Sequence, residues 1–223
     1  MPTVNGLDVS GHDDGIDLGT IADDGYSLVF IKATQGDYYH SASFDAQWRG
    51  ATAAGMVHGA YHFFDFNIDA TAQANFFLER YPLGPGALPP AVDAEQLYDR
   101  NGHPVPIPSA DRCVAAVARF NEIVEARTGV RNILYMGYYF WRDYLGATDG
   151  FAGHPLWLAQ YPEPKRTASP PPTAAPALIP APWRGNWTFW QYTDVGRLAG
   201  FNKNLDLNVF NGNLDQLRAM VMR

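Results

Sequence analysis

The chain has 223 residues, a length that suits one large α/β domain with a full core, and its 47 % hydrophobic and 17 % charged residues exclude a disordered polymer. A formal net charge of −7 with no basic run argues against nucleic acid as a partner, because phosphate binding needs clustered Lys and Arg. The single cysteine, Cys113, excludes both an internal disulfide and a multi-cysteine zinc site.

The N-terminus MPTVNGLDVS enters a strand pattern at once, without the charged and apolar regions of a signal peptide, so no classical export signal is expected. No apolar stretch approaches the roughly 20 residues of a membrane span. Eight β-like runs follow in order: VNGLDVS (4–10), SLVFIKAT (27–34), HGAYHFF (58–64), LPPAVDAE (88–95), NILYMGYYF (132–140), PLWLAQY (155–161), TFWQYT (188–193) and NLDLNVF (204–210). Helical spacing separates the early ones, over 43–55, 69–81 and 109–129, with Asp69 and Ser109 as N-caps and Gly55 and Gly129 as left-handed C-terminal residues. Cys113 falls in the apolar face of the third helix and is expected to be a buried thiol.

Alternating strands and helices predict parallel strands joined by helical crossovers, an α/β fold of the TIM-like barrel type. After about residue 130 loops replace the long helices, so the barrel is expected to be irregular. The Pro- and Ala-rich stretch at 162–186 reads as a surface loop rather than a linker, because the roughly 40 residues beyond it are too few for a second domain. The expectation is a single domain over 1–223.

Asp93 and Glu95 end the fourth strand two residues apart, so their side chains share one face at the strand's C-terminal end. Two carboxyls in a partly buried cleft repel as anions, which keeps one protonated while the other stays charged, the division that glycosidic hydrolysis uses. Asp8 ends the first strand and Asp206 lies in the eighth, its neighbour in a closed barrel, so four carboxyls would face one pocket. Each alone reads equally well as a turn residue or cap; their common placement points to a site. Lys32 is expected to pair with one of the acids. Tyr135, Trp157 and Trp190 fall in or near strand ends, where sugar subsites and core packing are both open readings. His58, His62 and His154 lack metal-ligand spacing and read as structural or rim residues, and the chemistry calls for no metal or cofactor.

The motifs GLDVS (6–10), FIKATQG (30–36), AAGMVHGAYHFF (53–64), QANFFL (73–78), LPPAVDAE (88–95), TGVRNILYMGYYF (128–140), PLWLAQY (155–161), FWQYTDVG (189–196) and LDLNVFNG (205–212) stand in an order that resembles glycoside hydrolase family 25, the Chalaropsis-type lysozymes. The resemblance implies an incomplete barrel of eight strands and about five helices. It also implies hydrolysis of the β-1,4 bond between N-acetylmuramic acid and N-acetylglucosamine in bacterial peptidoglycan. Carried onto this chain, it makes Glu95 the general acid and Asp93 the neighbour that orients the substrate's N-acetyl group, with Asp8 and Asp206 completing the acidic pocket. Tyr61 matches a tyrosine beside the reacting sugar. Substrate assistance, direct nucleophilic attack and inversion all stay open at this point.

Two departures stand out. Gln35 occupies a position where the family often has Glu, which removes a negative charge near the rim and is expected to affect pH optimum or specificity. No wall-binding repeat is recognisable after the catalytic region, so targeting is expected from the cleft itself or from a separate protein. A chitin-directed N-acetylhexosaminidase is the alternative enzyme, although the longer D-x-x-D-x-D-x-E pattern is absent because Pro89, Pro90, Ala91 and Val92 precede Asp93. A catalytically inactive glycan-binding barrel is the alternative outside catalysis. The expected partner is peptidoglycan, met as a monomer at the bacterial cell wall. A phage lysin, a secreted toxin and an autolysin all fit.

Overall fold

The structure, a computed structural model, describes residues 2–82, 84–164 and 174–223. Among the described residues nine strands form one sheet: β1 (Val4–Val9), β2 (Tyr26–Gln35), β3 (Tyr39–His40), β4 (Val57–Phe63), β5 (Ala91–Asp93), β6 (Ile133–Gly137), β7 (Leu156–Ala159), β8 (Phe189–Gly196) and β9 (Leu205–Phe210). The order β1-β9-β8-β7-β6-β5-β4-β2 closes through the parallel pairing of β1 with β2, and β3 is a two-residue antiparallel addition to β2. Eight strands therefore make the barrel, as expected. Around it lie α1 (Leu18–Asp23), α2 (Phe44–Ala53), α3 (Ala70–Arg80), α4 (Ala110–Thr128), α5 (Tyr138–Tyr144) and α6 (Leu214–Ala219).

Strand alternation sorts the side chains into two cores. Inward positions Leu28, Phe30, Ala91, Ile133, Trp157, Phe189 and Phe210 fill the barrel, while outward positions such as Val29, Ile31, Val92, Leu134 and Leu158 pack beneath the helices. Small residues make room for the large inward rings. A Cβ on Gly6 would lie 2.8 Å from the Leu28 side chain, and one on Gly59 would lie 2.9 Å from Leu88 and 3.5 Å from the Phe30 ring. Phe30 then stacks on Trp157 at 4.2 Å and meets Phe189 edge-on at 5.1 Å.

The helix ends follow the sequence in most respects. Asp69 caps α3 by accepting from the Ala72 N–H at 2.9 Å, and Gly129, at φ 75°, closes α4 through an N–H bond of 2.8 Å to the Glu125 carbonyl. Ser109 occupies the N-cap of α4, but its hydroxyl makes no capping bond. Cys113 is buried as expected, with Sγ 3.5 Å from the Pro108 carbonyl.

Three expectations change. The fourth strand is only Ala91–Asp93, because Pro89 and Pro90 have no N–H to give a ladder; their segment still accepts, the Ile133 N–H bonding the Pro90 carbonyl at 2.8 Å. The run NILYMGYYF does not stay extended: β6 stops at Gly137, and YYFWRDY forms α5. Tertiary contacts override aromatic strand propensity there, since Phe140 packs on Phe66 at 5.5 Å and Trp141 donates to the Thr148 carbonyl at 2.8 Å. Finally, β9 runs antiparallel to both β1 and β8, so the barrel is mixed rather than all parallel. The loop between β8 and β9 is short, and a short connection between neighbours forces a reversal of direction.

Of the proline-rich stretch at 162–186, residues 165–173 lie outside the described residues. Its C-terminal part is anchored, because a 3-10 turn at Ala181–Trp183 buries Trp183, whose Nε1 donates to the His154 carbonyl at 2.8 Å. Among the described residues no helix is long and apolar enough to cross a membrane.

Candidate active site

One layer above the aromatic filling, the same inward positions change chemistry. Asp8 on β1, Lys32 on β2, Tyr61 on β4, Asp93 on β5, Tyr135 on β6, Gln191 on β8 and Asp206 on β9 alternate in step with the apolar residues below them. Asp8 and Asp206 are direct register partners. Because β9 is antiparallel, Asp206 reaches this rim from near the strand's N-terminal end, whereas Asp8 and Asp93 reach it from C-terminal ends. Glu95, two residues past Asp93, lies just beyond the last ladder residue of β5 and is only partly buried.

Asp8 is held from two sides. Its Oδ1 accepts from Asn208 Nδ2 at 2.6 Å and from Gln191 Nε2 at 2.9 Å. Both amides are themselves oriented: Trp157 Nε1 donates to Asn208 Oδ1 at 2.7 Å, and the Tyr135 and Tyr161 hydroxyls donate to Gln191 Oε1 at 2.8 and 2.6 Å. Burial and the Asp206 charge nevertheless push Asp8 well above the usual carboxylate range, against the pull of those two donors. The sequence reading missed Gln191, Asn208 and Tyr161. The signal for the first two was parity, since Asn208 stands two residues from Asp206 and Gln191 two from the inward Phe189.

Asp93 differs. Its Oδ1 is buried and no described residue bonds to it. Burial raises Asp93 far above its ordinary value, with Glu95, Asp8 and Asp206 adding to the rise and Lys32 opposing it. Burial likewise raises Glu95 from 4.5 to about 7, Lys32 pulling down and Asp206 pushing up. Burial thus shifts both members of the pair upward, whereas repulsion between them alone would raise one and leave the other charged.

The partner of Lys32 is also unexpected. Its Nζ donates to Gln35 Oε1 at 2.7 Å and lies 4.3 Å from the centroid of the Phe63 ring, so its direct bond goes to a neutral amide while it acts on Asp93 and Glu95 through its field. Tyr61 is buried at the barrel mouth with its ring 5.9 Å from that of Trp157. Burial and the surrounding carboxyls push the phenols of Tyr61 and Tyr135 upward, which keeps their protons on.

For two of the aromatics the packing reading is the one their surroundings favour. Trp157, 1 % exposed, belongs to the barrel filling and serves the site only through its bond to Asn208. Trp190 points outward, where it packs against Trp187 and Tyr192 and donates to the Gln160 carbonyl at 2.6 Å, so strand parity removes it from any subsite. The histidines are structural as expected. His62 bridges Thr34 Oγ1 at 2.7 Å and Gln73 Oε1 at 3.1 Å, stacks on Phe120, and is pushed by burial down to about 3, which makes it a neutral imidazole. His58 bonds the Met56 carbonyl at 2.8 Å and His154 the Asn132 carbonyl at 3.1 Å.

Glu95 stands on the wall of a cleft of about 800 Å³. Tyr98, Tyr135, Tyr138, Tyr139, Tyr144 and Tyr161 also line it, and Tyr98 and Tyr139 are each 59 % exposed. Exposed aromatic faces beside buried carboxyls suit a ligand with apolar ring faces and polar edges, which is the character of a sugar chain.

Comparison with known proteins agrees with this geometry. The profile of glycosyl hydrolases family 25 matches residues 7–201. The N,O-diacetylmuramidase of Arthroderma benhamiae is 33 % identical over 224 residues, covering 97 % of this chain and 86 % of that protein. The N,O-diacetylmuramidase of a Chalaropsis species is 31 % identical, with 98 % and 99 % covered. The crystal structure of the bacterial lysozyme from Streptomyces coelicolor superposes with a TM-score of 0.84 at 30 % identity, covering 97 % of this chain and 96 % of that one. By sequence, barrel topology and fold, the chain belongs to glycosyl hydrolases family 25 and is a glycoside hydrolase.

Proposed function

We propose that this hydrolase is a muramidase that cuts the β-1,4 bond between N-acetylmuramic acid and N-acetylglucosamine in bacterial peptidoglycan, with Glu95 as general acid. One observation carries the reading: Asp93 and Glu95 share the barrel mouth, the first with a buried oxygen to which no described residue donates, the second on the wall of an aromatic cleft. The relatives named muramidase and lysozyme support the substrate class.

With its proton held to about pH 7, Glu95 can protonate the glycosidic oxygen as the bond breaks. A buried acceptor without a donor gains most from a ligand that brings one, and the N–H of an N-acetyl group is such a donor for Asp93 Oδ1. That bond favours the Asp93 anion, and an anion beside Glu95 holds the Glu95 proton more firmly. Substrate binding thus sharpens the division between acid and anion. An acetamido group oriented through its N–H presents its carbonyl oxygen to the anomeric carbon, so the substrate itself supplies the nucleophile. The Asp8–Asp206 pair, which burial and mutual repulsion keep from ionising fully, adds negative potential through the charge it retains, where positive charge develops on the sugar ring. The Tyr61 phenol is a donor or acceptor for the same acetamido group or for the intermediate. The work is done at the cell wall, where the substrate lies.

Digestion of purified peptidoglycan and of chitin oligomers, with the new reducing ends identified by mass spectrometry, tests the proposal. Reducing-end N-acetylmuramic acid is the expected product. Reducing-end N-acetylglucosamine from peptidoglycan overturns the bond assignment, cleavage of chitin oligomers alone points to the chitin-directed enzyme, and no product from either points to a binding barrel.

A further inference from the structure

Between β2 and the loop after β4 a chain of polar contacts leads away from the acidic cluster. Lys32 Nζ donates to Gln35 Oε1 at 2.7 Å, Gln35 Nε2 donates to the Tyr38 hydroxyl at 3.3 Å, and that hydroxyl donates to Asp65 Oδ2 at 3.2 Å. Asp65 is buried and its other oxygen accepts from the Asn67 N–H at 2.9 Å. The order of donors gives the Gln35 amide one sense. Its oxygen faces the ammonium and its NH₂ faces the phenol, because the reverse would set two donors against each other.

Lys32 is consequently gripped by a group without charge. The Phe63 ring on its other side, 4.3 Å from Nζ to the centroid, adds a cation–π contact and also leaves the net charge unaltered. The lysine's charge is thus held at the edge of the carboxyl cluster: burial pulls the Lys32 ammonium below its usual range, and Asp93 and Glu95, the carboxyls it acts on, draw it back up. A freely moving ammonium would swing to the nearest carboxylate and pair with it; the amide bond restrains that swing. Burial makes the restrained charge count, since fields in a low-dielectric site are screened less than at the surface.

We propose that Gln35 is a positioning residue that holds Lys32 as an unneutralised cation beside the carboxyl cluster and thereby sets the alkaline limit of hydrolysis. The proposal rests on the reading of Glu95 as general acid and adds a control on the strength of that acid. The other titratable groups that interact with Glu95 are Asp93 beside it, Asp206 on β9, Tyr61 on β4, Tyr135 on β6 and Tyr161 after β7, with Asp8 on β1 behind Asp93 and Asp206. Asp206 is the carboxyl whose charge opposes loss of the Glu95 proton, and Lys32 is the cation among the described residues that promotes it. On the far side Gln35 faces Tyr38 and, through it, Asp65.

The test is the pH profile of kcat/KM on soluble peptidoglycan fragments for the unaltered protein, Gln35→Glu, Gln35→Met and Glu95→Gln, with thermal melts to establish folding. In Gln35→Glu the new carboxylate cancels the Lys32 charge, so Glu95 keeps its proton longer and the alkaline limb moves up by about one pH unit. Gln35→Met keeps the site neutral and loses the grip, so its limb does not move up while its rate falls. A folded Gln35→Glu variant whose alkaline limb stays in place overturns the proposal, as does an equal upward move in Gln35→Met, which would mean packing rather than charge. Retention of near-normal hydrolysis by Glu95→Gln overturns the general-acid reading instead, whatever Gln35 does.

Discussion

The barrel interior has two storeys built on one repeating pattern, and their contrast separates stability from chemistry. In the lower storey the inward positions carry Phe30, Trp157, Phe189 and Phe210, closely packed and apolar. In the upper storey the next inward positions carry Asp8, Lys32, Asp93 and Gln191, where burial works against the charges it encloses. Burial below lowers the free energy of the fold; burial above raises it and stores that cost as perturbed proton affinity. The Trp157–Asn208–Asp8 chain joins the two, so the apolar filling also aims the polar layer.

The sharpest way to break this contrast is to remove one proton from the upper storey. Glu95→Gln is expected to lower kcat by about 10²–10⁴-fold or more, with unchanged far-UV circular dichroism, because it deletes the proposed acid and little volume. Phe30→Ala is the mirror experiment. It should cost about 3–5 kcal/mol in denaturant unfolding, because the ring is fully buried between Trp157 and Phe189.

A smaller effect sharpens the claim that the upper storey costs stability. Glu95 is raised from 4.5 to about 7, so the folded state binds that proton more tightly than the unfolded chain. Its stabilising contribution is full below 4.5 and is lost as pH rises through about 7. Glu95→Gln lacks this loss, so its stability relative to the unaltered protein should improve by about 3 kcal/mol between about pH 4 and pH 8. Equal pH dependence of the two proteins in denaturant melts would contradict the shift. The smallest effect is expected outside the barrel. Trp190→Phe should lose about 1–2 kcal/mol of stability through its bond to Gln160 and its packing, yet keep kcat/KM within about twofold.

Much of the fold was legible because hydrophobic period and turn chemistry are local properties. Asp69 capping α3 and Gly129 closing α4 were readable from residue type alone. YYFWRDY was not, because aromatic residues suit strands in isolation and only the contact of Phe140 with Phe66 turns them into α5. The short helices α1 and α6 escaped notice for a different reason: six residues each carry too little periodic signal to stand out. In the site, the four carboxyls were visible as acids at strand ends, whereas the groups that hold Asp8 are amides, which carry no signal until parity and register bring them together.

By itself the sequence determined which residues face inward, since a strand's side chains alternate whatever its neighbours do. That alternation placed Asp93 with Glu95, and Asp206 with Asn208, on common faces. Tertiary structure alone decided how those faces meet. It reversed β9, so that Asp206 reaches the rim opposite Asp8 from the other direction, and turned Trp190 away from the cleft. It also set Lys32 against Gln35 rather than an acid, because a flexible ammonium takes its partner from the three-dimensional surroundings, which strand periodicity does not encode.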